Sequence, residues 1–437
     1  MKLWYLGVGV LVGVVAFAAV AVGAGGGPKT KLVSRTSGGD PAAGGYSTPG
    51  GITPNGRWVA FDSDADNLPG ASTTYNQVYG RDRKTGKTKL VSKSNNGDPA
   101  DGGSSADPSI SDDGRFVGFE SSATNLPGSA PPYDQVYDRD LKTGKTKLIS
   151  QTTGGDPATG GYSDDASLSA NGRLVAFESE STNLPGSISP DDQTYVRDRK
   201  TGTTKLVSKT TGGTPADADS EDPAISPNGG IVAFESESSN LPGGLGNMTD
   251  QSYVRDLKGG RTLLVSKNTA GDPADDDSED VSVSGNGRFV EFESYATNLP
   301  GSLGPTYRQV YLRDRKKNKT TLISKTSAGA PASGGSSDDA STSASGRFVE
   351  FESYASNLPG SISPKYQVYI RDTEGQKTRL VSKSNSGNPG DDYSYTRKNS
   401  NLLSRDPIFA TFYSYASNLP GSIGPTYSQA YVRGPGP

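Results

Sequence analysis

Short apolar runs recur along the chain, each bounded by Gly, Pro, Asn, Asp, Ser or Thr. One stretch shows the pattern plainly. Ser167-Leu168-Ser169 is a short apolar-centred segment, Asn171-Gly172-Arg173 is a turn, and Leu174-Val175-Ala176-Phe177-Glu178 is a second segment. A loop with Asn183-Leu184-Pro185-Gly186 leads to Gln193-Thr194-Tyr195-Val196-Arg197-Asp198. Thr201-Gly202 then closes a tight hairpin onto Thr204-Lys205-Leu206-Val207-Ser208. Apolar runs this short, separated by turn residues, predict strands and argue against helices. The four strands of the unit are called a, b, c and d.

The unit repeats. Leu-(Val/Ile)-Ser starts at Leu32, Leu90, Leu148, Leu206, Leu264, Leu322 and Leu380, and every step is 58 residues (90 − 32, 148 − 90 and onward). A fixed period of four short strands is the signature of a propeller blade. The predicted fold is all-β: a seven-bladed β-propeller of four-stranded antiparallel blades over residues 30–433, with a tail at 434–437. The ends are out of phase. The chain opens with a d strand (Thr30 to Ser34) and finishes with a c strand (Gln429 to Arg433). The N-terminal strand is therefore expected to complete the last blade, closing the ring and hiding its edges. Phe61, Phe119, Phe177, Phe234, Phe292, Phe351 and Phe412 share one place in strand b. Tyr79, Tyr137, Tyr195, Tyr253, Tyr311, Tyr369 and Tyr431 share one in strand c, with Gln two residues earlier. These predict blade-on-blade packing, with Gln and Tyr satisfying buried polar groups. Copy seven departs: Asn401-Leu402-Leu403 serves as strand a after a three-residue insertion, and the Gly-Arg turn is missing.

Composition narrows the chemistry. Without Cys there is no disulfide, and without His the commonest general base, the usual catalytic triad and most zinc sites are removed. A net charge of −4 does not point to nucleic acid. Lys2 is followed by an uncharged segment, Leu3 to Val22. Residues 1–24 read either as a signal peptide, with small-residue cleavage patterns at Ala19-Val20-Ala21 or Val22-Gly23-Ala24, or as a membrane anchor of about 20 residues. Residues 25–29 form a Gly-rich linker. Either reading places the remainder outside the cytoplasm, secreted or held at the outer face of the membrane.

Loop lengths assign two faces. The a–b and c–d turns are short and share one face; the d–a and b–c loops are long and share the other, where binding usually resides. The c–d turns are basic (RDRKTGK at 81–87, RDLKTGK at 139–145), and Arg57, Arg115, Arg173, Arg288 and Arg347 join them. The d–a loops carry Asp217, Asp219, Glu221 and Asp222, then Asp272, Asp275, Asp276, Asp277, Glu279 and Asp280. A basic face and an acidic face are predicted. The basic turns are either solvated hairpin tips or, with a retained anchor, partners for anionic headgroups.

Asp107, Asp165, Asp222, Asp280 and Asp339 hold one position just before strand a, with Pro49 and Ser400 in its place in the other copies. They read as a carboxylate ring at the channel mouth or as caps on loop amides. Tyr75, Tyr133, Tyr307, Tyr366 and Tyr427 lie in the b–c loops, suited to stacking on a glycan or a protein partner, or to packing within the loop. No metal site is assigned. Calcium has weak candidates in Asp275, Asp277 and Asp280, and in the alternating Asp62, Asp64 and Asp66. Asn247-Met248-Thr249 and Asn318-Lys319-Thr320 fit the N-glycosylation pattern.

The repeat resembles the TolB-type, WD40-like propellers often found in exported bacterial and archaeal proteins. The residues that carry the resemblance are Ser111-Asp112-Asp113-Gly114-Arg115-Phe116-Val117-Gly118-Phe119-Glu120-Ser121, Asn125-Leu126-Pro127 and Gln135-Val136-Tyr137-Asp138-Arg139-Asp140. The resemblance spans about residues 29–433 and is specific for fold. It departs in having Gln where many members have Asp before the c-strand aromatic. It implies a binding or accessory module and names no activity. The expected function is a non-enzymatic, cofactor-free, exported binding or scaffold propeller at the cell surface, engaging a protein or glycan through its acidic loop face. Two alternatives stand beside it: a surface-layer or filament subunit that self-associates acidic face to basic face, and a carbohydrate-active hydrolase or lyase.

Overall fold

A computed structural model describes residues 27–434, apart from 73, 189, 247, 398–402 and 404–408. The segment 1–24, Asn247, Ser400 and the copy-seven a–b turn lie outside the described residues.

Among the described residues, 28 strands form seven four-stranded antiparallel sheets. Blade three is Ser163–Leu168 (a), Leu174–Ser179 (b), Gln193–Asp198 (c) and Thr203–Leu206 (d). Blade seven is closed as expected: Lys29–Leu32 pairs antiparallel with Gln429–Gly434, and Leu32 stands opposite Tyr431. The seven-bladed propeller is the fold the chain adopts.

Strands b and c are sandwiched between neighbouring blades, so their residues are buried on both faces; Ile231–Ser236 is buried throughout. Phe61 stacks on Tyr79 with ring centroids 5.4 Å apart, and the same cross-strand pair recurs in every blade. Each such side chain contributes about 1.5–3 kcal/mol by burial. The glutamines behave as expected. Ser92 Oγ donates to Gln77 Oε1 at 2.7 Å, and Gln77 Nε2 donates to the Ala100 carbonyl at 2.9 Å. The tyrosine hydroxyls are less fully engaged, with Ser302, Ser361 and Ser422 beside those of Tyr311, Tyr369 and Tyr431.

The d–a loops are not wholly on the loop face. Their first residues form a small hairpin (Lys93 bridges Pro99) that folds along the rim and clamps the outer strand of the next blade. Thr146 N–H donates to Asn95 Oδ1 at 2.8 Å, Asn95 Nδ2 donates to the Thr146 carbonyl at 3.1 Å, and Thr146 Oγ1 donates to the Lys93 carbonyl at 2.6 Å. The buried Arg139 reaches the same carbonyl at 3.0 Å. Each outer edge is thereby covered, which removes the pairing hazard of an open strand.

On the turn face the a–b turns touch around the axis, Ala170 N–H donating to the Pro227 carbonyl at 2.9 Å. Ile52, Pro54, Val283 and Leu403 help narrow that end to a cavity of about 20 Å³.

Candidate functional site

Strand a begins four residues earlier than the sequence reading placed it (Ser163 against Ser167 in blade three), so the five aspartates lie inside the strand, not just before it. Each sits at a β-bulge; in blade three the register shifts between Asp164 and Ser167. Asp107, Asp165, Asp222, Asp280 and Asp339 have φ of 46° to 52°. Asp tolerates this left-handed backbone because its short polar side chain bonds locally, which explains one residue type at one position. In blade seven Ser394 pairs with Ser414, which places Thr396, not Ser400, at the bulge. The extra residues of that copy fall between Thr396 and Leu403, which still bridges Ala410.

The sequence reading missed the other half of the site. Glu120, Glu178, Glu235, Glu293 and Glu352 follow the strand-b Phe, and each points at the bulge of the next blade. Asp222 N–H donates to Glu178 Oε2 at 2.5 Å, Asp280 N–H to Glu235 Oε2 at 2.6 Å, Ala340 N–H to Glu293 Oε1 at 3.0 Å and Thr396 N–H to Glu352 Oε2 at 2.7 Å. Burial first, and the neighbouring aspartates second, hold all five glutamates well above the usual carboxylate range. The signal was present: Glu occurs here in the five copies that carry the bulge Asp, while copies one and seven have Asp62 and Tyr413.

The carboxylates form a continuous arc. Asp165, Glu178 and Asp222 have oxygens within 4.8 Å of one another, as do Asp222, Glu235 and Asp280, and Asp280, Glu293 and Asp339. Two outer groups flank them: Asp192 with Asp219 and Glu221, and Asp250 with Asp277 and Glu279. Each group is an oxygen-only donor set of the kind a hard divalent cation takes. The calcium candidates do not converge. Asp277 and Asp280 join different groups, and Asp275 caps Thr297 N–H at 2.7 Å. Asp62 bonds Asn76 Nδ2 and Arg397, while Asp64 accepts Tyr46 N–H.

Charge is distributed unevenly around the ring. The residue before the strand-c Gln is Asn76, Asp134, Asp192, Asp250, Arg308, Tyr366 and Ser428 in blades one to seven. Arg308 reaches Glu279 at 2.9 Å, Glu293 at 3.3 Å and Asp280 at 3.4 Å. Burial opposes its charge, but Glu293, Glu279 and Asp338 outweigh burial and raise its pKa. Arg397 joins Asp62 to Asp107 in the same way. Blades three and four carry acid instead: burial, then neighbouring carboxylates, push Asp192 up to about 8 and Asp250 up to about 7.

Tyrosine fills the rest of the face. The five predicted loop tyrosines are half-buried. Tyr133 packs edge-on against Tyr162 at 5.3 Å, Tyr427 against Tyr46 at 5.2 Å, and Tyr366 against Tyr354 at 4.7 Å, with its hydroxyl donating to Asp338 at 2.8 Å. Tyr75 lies behind Ser72, whose Oγ accepts its N–H. The most exposed rings are ones the sequence reading passed over: Tyr46 (47% exposed), Tyr162 (45%) and Tyr393 (36%). The loop face thus has an acidic arc from Asp165 in blade three to Asp339 in blade six and a linked tyrosine arc running from blade six through seven to one, with the separate Tyr133–Tyr162 pair beside the acidic arc. Asn318 is exposed on the opposite, turn face.

That turn face is less basic than its sequence. Arg57, Arg115, Arg173, Arg288 and Arg347 each pair with the Asp that ends strand c, as in Arg57 Nη2 to Asp82 at 2.7 Å.

No family model and no curated protein sequence matches the chain. Solved structures share the fold. A puromycin hydrolase S511A mutant complexed with PGG superposes with a TM-score of 0.51 at 10% identity, over 85% of this chain and 50% of that one. TolB from Acinetobacter baumannii gives 0.42 at 14% identity, over 79% of this chain and 65% of that one. A TolB from Agrobacterium tumefaciens gives 0.43 at 15%, over 77% and 89%. At these identities the likeness shows the propeller alone.

Proposed function

We propose that this chain is an exported, non-enzymatic binding propeller whose loop face holds a basic segment of a protein partner. The observation that carries the reading is the division of that face into a carboxylate arc and a tyrosine arc, both drawn from loops and bulges on a rigid ring. Carboxylates attract Lys and Arg, and tyrosine faces accept them through cation–π contact. The fold already uses both: Arg308 lies among four carboxylates and 5.0 Å from the Tyr295 ring. Export rests on the uncharged segment Leu3 to Val22.

Two features favour holding over chemistry. The four glutamates of blades three to six each spend an oxygen on a backbone N–H, and the arc repeats from blade to blade. Stacking of subunits face to face is disfavoured because five turn-face arginines are already paired within the molecule.

The test is titration with a Lys/Arg-rich peptide by calorimetry at low and high salt, above pH 8, where Asp192 and Asp250 are ionised. Saturable binding that weakens with salt and falls about tenfold in the double variant Asp192→Asn/Asp250→Asn supports the reading. Binding only to neutral glycans, or turnover of a polysaccharide, overturns it.

A further inference from the structure

The seam where the N-terminal strand closes the ring differs from every other blade junction in its charges. The junction of blades two and three is the reference. There Arg199 lies over the Phe116 ring at 4.0 Å, its Nη1 donates to the Gly172 carbonyl at 2.7 Å, and its Nε and Nη2 grip both oxygens of the buried Asp138 at 2.9 and 2.6 Å. Lys147 stands opposite Asp138 on strand d. The cavity beside them, about 580 Å³, contains Asp138 and Asp140 among its basic lining.

At the seam the same frame is present without the acids. Arg83 lies over the Phe409 ring at 5.0 Å, and its Nη1 donates to the Gly56 carbonyl. Lys31 takes the place of Lys147, but the residue opposite it is Val432, and Gly434 replaces Asp140. Nε and Nη2 of Arg83 have no hydrogen-bond partner among the described residues. The cavity here is about 1040 Å³, and no carboxylate is among its described lining residues. Arg57 is taken up by Asp82, and Arg81 by Thr88 and the rim carbonyls. Among the described residues Arg83, Lys31 and the exposed Lys84 are left without a carboxylate partner, and of these Arg83 and Lys31 flank the Val432 position. The position of Asp138 is Gly80, Val196, Val254, Leu312 and Ile370 in the other blades, where the Arg of the next turn or the Lys of strand d is missing (the blade four–five junction has Arg315 but Leu263), so among the described residues only the seam sets both cations around a position without an acid.

We propose that this seam binds a phosphate group, held by the Nε–Nη2 edge of Arg83 and the ammonium of Lys31 where Asp138 sits at the reference junction. Arg presents a planar fork that fits an oxyanion edge-on, and Lys adds a point charge. Two cations in a cavity nearly twice the reference volume suit a tetrahedral dianion better than one carboxylate. The phosphate belongs either to a free small molecule or to a lipid headgroup; the site lies beside Lys29, which follows the uncharged segment Leu3 to Val22 in sequence.

The experiment uses the full chain, inorganic phosphate as ligand, and calorimetry. The expected result is one saturable site that weakens about tenfold or more in Arg83→Gln and in Val432→Asp. Val432→Asp places a carboxylate between Arg83 and Lys31 and should lose phosphate; Val432 is buried in the core, so Tm is read alongside, and Arg83→Gln carries the test if Val432→Asp unfolds. Asp138→Val should open a second site and raise the stoichiometry to two. Vesicles identify the source. Arg83-dependent retention on phosphatidylglycerol over phosphatidylcholine, with no uptake of inorganic phosphate, supports a headgroup; uptake of inorganic phosphate alone supports a free ligand. If neither probe binds, or if Arg83→Gln and Val432→Asp bind both as the parent does, the proposal falls.

Discussion

Asp192 and Asp82 are the same residue type with opposite electrostatic fates, and together they shape how stability depends on pH. Burial and neighbouring carboxylates raise Asp192 to about 8 and Asp250 to about 7. The folded chain then keeps protons that the unfolded chain releases near pH 4, so stability from these groups is full below that pH and is lost as pH rises to 8. Asp82, Asp198 and Asp372 are held at about 2, chiefly by hydrogen bonds from Arg57, Arg173 and Arg347. Their contribution is present above about pH 4 and is lost as pH falls toward 2. Tm should therefore peak near pH 4 and decline between about pH 4 and 8. Asp192→Asn/Asp250→Asn should flatten that decline; an unchanged decline would show that these carboxyls do not cause it. Gln193 tests the interior at the same scale. It accepts from Ser208 Oγ at 2.8 Å and donates to the Ala218 carbonyl at 3.1 Å. Gln193→Leu strands both partners and should cost about 1–3 kcal/mol in denaturant unfolding. The glutamine was legible from its alternation with the strand-c Tyr. The glutamate arc was not read, because burial between blades is a tertiary property even when the residue pattern is visible.

The element that departs most from its sequence reading is the d–a loop. Its first half is a rim hairpin that binds the next blade's outer strand, so only its second half is free for the loop face. Thr204 is one such clamp: Oγ1 donates to the Gln151 carbonyl at 2.6 Å and accepts from Arg197 Nη1 at 2.7 Å. Thr204→Val should cost about 1–3 kcal/mol and speed hydrogen exchange in residues 152–156, while exchange in strands b and c of blade three stays slow. Uniform acceleration across the blade would argue against a local clamp. The same side-chain network accounts for the Arg-Asp pair at the end of strand c. Its Arg goes outward to the rim hairpin, and in five of the seven blades its Asp pairs with the a–b turn arginine. The basic turns read as solvated tips are therefore partly structural.

At the scale of the molecule, stability depends on the closing strand. Lys29–Leu32 covers strand c of blade seven, and Ser34 Oγ completes the buried Gln429 site at 2.9 Å. Removing residues 1–34 exposes that strand and should lower Tm by several degrees or drive association, whereas removing residues 1–28 should leave Tm nearly unchanged. Equal Tm for the two truncations would mean that closure contributes little. The same strand forms one wall of the phosphate seam, so the longer truncation should also abolish phosphate binding.

The 58-residue period and its phase determined the architecture by themselves: seven blades, four strands each, and closure by the first strand. They suffice because each blade is a local unit that repeats its own hydrophobic pattern. Which side chains meet across blades was decided only by the tertiary structure. Glu178 and Asp222, Arg199 and Asp138, and Arg83 and Val432 lie far apart in sequence and share a site only when the ring sets one blade against the next. The division of the loop face into acid and tyrosine, and the charge left over at the seam, arise at those contacts.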